Sequence, residues 1–268
     1  MTSKKTLVQG NLVEKVCSTT IKSTINRKPI EINELSDQEL IELLFKANLT
    51  NVESFAEEIL ARGIGDLAIV SLGKLWERFR GHDLKYPKEQ VVVLKTLGQI
   101  DQNATRDLLL RIMSSGSCPE SLLPLLLESA IKVRVKTSQQ QLIGWLKHKN
   151  SEIRLLACSL MKFGVNLTLD VFKLGLADHS NRVRRETLIS MGLCGYEEAK
   201  SGLLSELESN PTSHVIYALE SIIDEDIITH LGRRAESSPD LLGVIIDVLQ
   251  LSESPRAKAV VKRLSKPG

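Results

Sequence analysis

Two stretches in the middle of the chain, Asn150–Gly164 (NSEIRLLACSLMKFG) and Ser180–Gly195 (SNRVRRETLISMGLCG), share one plan. Each opens with a polar turn, passes to a β-branched residue followed by Arg, and continues as a helix that closes near Gly. Ile153–Arg154 and Val183–Arg184 lead the two copies, 30 residues apart. Self-similarity at a period of about 20 to 50 residues is the mark of a solenoid, so it outranks any local motif in deciding the fold.

The register extends both ways. With Ile153 or Val183 as position 1 of ten, further copies start at Ser54, Glu89, Leu123, His214 and Leu241. The seven starts are spaced by 35, 34, 30, 30, 31 and 27 residues. A first helix is expected to accompany each copy, at 66–79, 104–114, 138–148, 169–177, 197–208, 225–235 and 256–265. Breakers separate them at Pro87, Ser115–Ser117 with Pro119, Asn210-Pro211, Ser238-Pro239 and Ser254-Pro255. Ser36-Asp37-Gln38-Glu39 is a capping box, in which the Ser hydroxyl and the Glu carboxylate satisfy free amides, so the array begins at about residue 36.

The segment VRRETLISMGLCGYEEAKSGLLSELESN resembles a HEAT repeat of the short bacterial, armadillo-type form. The residues that carry the likeness are Val183, Arg184, Met191 and Gly192, with Ala199, Leu203, Leu204 and Leu207 in the next helix. It covers roughly residues 35–268 and is specific across 137–210. The resemblance implies an all-α protein, a right-handed superhelical α-solenoid of about seven helical pairs, with no particular activity. The family usually places Asp three residues before position 1; Asn150 and Ser180 stand there in this chain.

Composition agrees with such an array. A repeat protein grows by stacking, so 268 residues need not divide into globular domains. A 42% hydrophobic content supplies a continuous core, whereas 4% aromatics is sparse for stacking on nucleic-acid bases. A net charge of +2 creates no global field toward phosphate or membrane. Cys17, Cys118, Cys158 and Cys194 are widely spaced and lack any CxxC, which fits reduced thiols and a cytoplasmic location. Sequons at Asn48, Asn103 and Asn166 would matter only after secretion, and no secretory or membrane-spanning apolar run is present.

The expected division is a basic leader, 1–33, followed by the solenoid, 34–268. Residues 1–30 hold Lys4, Lys5, Lys15, Lys22, Arg27 and Lys28 against Glu14 alone. Residues 31–60 reverse the sign, with eight acids against Lys46. Either the leader is mobile, or it is a basic arm that orders on a partner or folds back on this acidic stretch.

No catalytic constellation stands out. The five histidines fall at no metal-ligand spacing. There is no GxxxxGK[ST], no GxSxG and no GxGxxG after a strand. Trp76 and Trp145 lie among apolar neighbours at helical spacing and read as core anchors. Neither a cofactor nor a metal is expected, and the chain reads as non-enzymatic.

The second helices carry the informative pattern. At about 100° per residue, positions 1, 4, 5 and 8 share a core side, and positions 3, 7 and 10 point away from it. HEAT resemblance implies that these helices line the concave surface. Position 3 holds Val91, Leu125, Leu155, Arg185 and Ile216, and Lys95, Lys132 and Lys162 edge that strip. The expected partner is a protein segment, an amphipathic helix or an extended stretch, held in the concave groove. The alternative placement buries position 3 between neighbouring repeats. Alternative functions are nucleic-acid binding of the HEAT-like alkylpurine DNA glycosylase type, and an enzyme-associated subunit of the bilin lyase sort.

Overall fold

The structure, a computed structural model, describes residues 20–21, 30–78 and 88–265. Most of the basic leader, Pro87 and His82 lie outside the described residues. Two short strands, β1 (Thr20–Ile21) and β2 (Ile30–Glu31), pair antiparallel with Ile21 opposite Ile30. Fifteen α-helices follow among the described residues, an all-helical body: α1 (Asp37–Phe45), α2 (Val52–Ala61), α3 (Gly65–Arg78), α4 (Lys88–Leu97), α5 (Asn103–Ser115), α6 (Leu123–Lys132), α7 (Gln139–Leu146), α8 (Ser151–Met161), α9 (Leu169–Leu176), α10 (Asn181–Leu193), α11 (Lys200–Ser209), α12 (Ser213–Glu220), α13 (Glu225–Ser237), α14 (Leu242–Leu251) and α15 (Pro255–Leu264).

Local chemistry explains the boundaries. At α1 the Ser36 amide donates to the Glu39 carboxylate (2.9 Å) while the Glu39 amide donates to Ser36 Oγ (3.4 Å). Ser138 and Gln141 repeat the device at α7. Pro124 and Pro255 sit in first helical turns, where a missing N–H costs little. The second helices α2, α6 and α10 end alike. In each, a residue with positive φ donates three back along the chain while its successor donates five back. That residue is Gly63 (φ +68°), Arg134 (φ +59°) and Gly195 (φ +80°).

Close packing joins each helix to the next or next-but-one in the chain. The even-numbered helices, expected as second helices, form an unbroken stack from α2 to α14. The odd-numbered stack is looser at two places, between α5 and α7, where Gln141 Nε2 donates to Ser114 Oγ (3.0 Å), and between α9 and α11. Both glycine and serine make the even stack tight. A Cβ on Gly192 would lie 2.5 Å from the Ala218 carbonyl, so α10 and α12 touch backbone to backbone there. Ser129 Oγ donates to Leu94 O (2.9 Å) and Ser190 Oγ donates to Cys158 O (2.7 Å), each linking a second helix to the one before it.

These contacts correct the expected helix faces. Positions 7 and 10 do not all point outward: Ser129, Ile189, Gly98 and Gly192 are buried in seams between even helices. Two register starts move as well. In α2 the buried set is Val52, Phe55, Ala56 and Ile59, so that copy starts at Val52 and not Ser54. In α12 His214 is exposed while Val215, Leu219 and Ile222 are buried, so the start is Val215. Trp76 is a core anchor and Trp145 packs half-buried against the core. Leu156, on the expected core side, is half-buried like its neighbour Leu155.

Arginines tie the turns together. Arg62 donates to Leu35 O (2.6 Å) and Ile32 O (3.1 Å), and Arg106 to Val133 O (2.7 Å). Arg154 donates to His148 O (2.9 Å) and Arg184 to Asp178 O (2.6 Å). Carbonyls at helix ends lack intrahelical partners, and a planar guanidinium can serve several of them at once.

Candidate functional site

Position 3 of the even helices is a shallow, half-covered strip. Val91, Leu125 and Leu155, on the consecutive helices α4, α6 and α8, are half-buried and pack against the core. Lys95 and Lys132 beside them are exposed. Lys162 is half-buried, with its ammonium 5.3 Å from the Phe163 ring centroid.

The remaining two expected strip residues do not join it. Ile216 is fully buried, a consequence of the one-residue shift of register in α12. Tyr217, 41% exposed, takes the outward place that Ile216 was expected to fill. Arg185 turns toward α11: its Nε lies 2.8 Å from the Glu206 carboxylate, and Nη2 donates to Asn210 O (2.9 Å).

A stronger apolar surface lies on the odd helices. A depression of about 920 Å³ between α1, α3 and α5 is lined by Phe45, Ile69, Val70, Leu108 and Ile112. Val70 is 68% exposed and Phe45 39%, and Leu67, one turn before Val70, is 58% exposed. Lys74, Glu77, Asp107 and Arg111 supply a mixed-charge rim. The Lys74 ammonium sits 5.9 Å from the Phe45 ring centroid. Sequence reasoning passed over this site because an outward-facing apolar pattern was sought only on the second helices. The available signal was apolar residues at Leu67 and Val70, three apart on α3, beyond those its core stripe requires.

Charged groups elsewhere serve the fold. Asp178 accepts from Arg154 Nε (2.6 Å) and Nη2 (3.1 Å), and the adjacent guanidinium holds its carboxyl below the ordinary range. Burial pushes the Cys118 and Cys158 thiols up to about 12, which disfavours the thiolate at both. His230 lies 3.1 Å from Glu208 and 3.7 Å from Asp226, while His148 lies 3.6 Å from Glu120. Among the described residues, no three His, Cys, Asp or Glu side chains converge as a metal site would require. No helix among them is long and apolar enough to cross a membrane.

The chain matches no protein-family model and no curated protein.

Proposed function

We propose that this chain is a HEAT-like α-solenoid that works as a non-enzymatic scaffold, holding a segment of a partner protein against its helices. Close packing of next and next-but-one helices among the described residues supports the repeat reading, because a solenoid's units pack on their neighbours. The observation that carries the function is the apolar depression between α1, α3 and α5. Val70 and Phe45 are exposed there and rimmed by charges, with exposed Leu67 one turn away on α3, as protein-binding patches are. On this reading the partner sits on the odd helices, and the half-buried strip of Val91, Leu125 and Leu155 is a secondary surface.

The test uses the tagged full chain to isolate a protein partner from source cells, followed by titration of that partner. Val70→Glu puts a charge in the centre of the patch and should weaken binding by about 1–2 kcal/mol or more. Lys95→Glu with Lys132→Glu, on the secondary strip, should change it little. Unchanged binding by Val70→Glu, with the Lys pair sensitive instead, would return the partner to the even helices.

A further inference from the structure

The gap between α9 and α11 holds a groove of about 670 Å³ whose chemistry differs from the rest of the surface. Its lining includes Leu176, Arg182, Arg184, Arg185, Leu188 and Glu206. Three arginines and a single acidic residue, Glu206, therefore line it, in a chain whose whole net charge is +2. Leu176 and Leu188 are half-buried and supply an apolar base between the cations.

Two of the arginines are anchored. Arg184 donates to Asp178 O (2.6 Å), His179 O (3.1 Å) and Asn181 Oδ1. Arg185 is held by Glu206, Asn210 O and Thr212 Oγ1. Arg182 differs: it is exposed and makes no ion pair among the described residues. Two guanidinium groups fixed by helix ends and one left free give a recess with a surplus of positive charge over apolar side chains. Carboxylates match guanidinium forks in planarity and charge, and their aliphatic stems match the leucines.

We propose that the α9–α11 groove docks an acidic segment of a partner protein, with Arg182 as the free contact and Arg184 and Arg185 as its prepositioned rim. This goes beyond the scaffold reading by naming a further surface, distinct from the depression and the strip, and the chemistry it selects. A polynucleotide fits less well. α11 carries Glu206 and Glu208, and α13 begins with Glu225 and Asp226, so the cationic surface stops at the groove instead of continuing as a phosphate track.

The test is fluorescence anisotropy of a fluorescein-labelled peptide of alternating Glu and Leu, titrated with the full chain at low salt. Saturable binding is expected, weakened by about ten-fold or more in Arg182→Glu and retained in part by Arg182→Lys. Val70→Glu should bind the peptide as the parent does, so failure here and failure of the α1–α3–α5 reading are separable. Circular dichroism of Arg182→Glu should equal that of the parent, since the side chain is exposed. Equal affinity of Arg182→Glu and parent would overturn the proposal. So would the absence of saturable binding, or displacement of the peptide by duplex DNA at equal charge.

Discussion

Arg154, on the first turn of α8, grips Asp178, in the turn before α10, through two N–H···O bonds of 2.6 and 3.1 Å. The same guanidinium donates to His148 O and Lys149 O, so one side chain binds two successive inter-helix turns. Both partners are largely shielded from solvent.

Removing the carboxylate therefore has a defined cost and a defined pH dependence. Asp178→Ala should destabilise the fold by about 2 kcal/mol, the range for a charge-assisted hydrogen bond, with Arg154 keeping its carbonyl partners. The folded-state pKa of Asp178 is depressed, so its stabilisation is fully present above the ordinary carboxylate range of about 4. It is lost as pH falls through the depressed value. Urea unfolding of parent and variant should show a gap at neutral pH that narrows in acid. A gap independent of pH would show that the pair contributes through packing alone.

Arg134 occupies a backbone conformation that Gly63 and Gly195 occupy at the equivalent ends of α2 and α10. An L-residue there pays roughly 1 kcal/mol or more of steric cost, offset in part by the chain entropy that glycine would lose. Arg134→Gly should raise stability by about 0.5–1 kcal/mol, and Gly195→Ala should lower it by about 1 kcal/mol or more. Chemical denaturation midpoints check both, and a drop for Arg134→Gly would mean that its side chain holds the fold.

The α10–α12 seam depends on the absence of a side chain at Gly192. A methyl group there meets Ala218 O at 2.5 Å and a Leu203 methyl at 2.6 Å. Gly192→Ala should cost about 1–3 kcal/mol as the helices separate. Thermal unfolding by circular dichroism measures it; an unchanged midpoint would mean the seam yields without strain.

Much of the helical plan was legible because its causes are local. Ser36 and Glu39, three apart, declare a cap; Pro124 and Pro255 mark first turns. The registers of α8 and α10 were readable because Ile153 and Val183 are single apolar residues among polar neighbours. The slip in α12 was readable from its own residues: Val215, Ala218, Leu219 and Ile222 stand at core spacing, whereas a start at His214 puts His214, Tyr217 and Ser221 there. Contacts that join one repeat to the next are not written along a single helix. The Arg154–Asp178 pair was hidden for the same reason: Asp178 stands five residues before Val183, not three, and its partner comes from the preceding repeat. The exposed patch at Phe45 and Val70 depends on how α1, α3 and α5 are arranged, which periodicity along one helix cannot supply.

The central claim is that the chain is an array whose stability is carried between neighbouring helices, and truncation tests it most directly. Removing α12 through α15 by ending the chain at Asn210 leaves every close contact among α1 to α11 in place. The fragment should keep helical circular dichroism in proportion to its remaining helices and unfold in urea at a lower midpoint than the full chain. Loss of the helical signal throughout the fragment would contradict it, because that outcome requires one indivisible core.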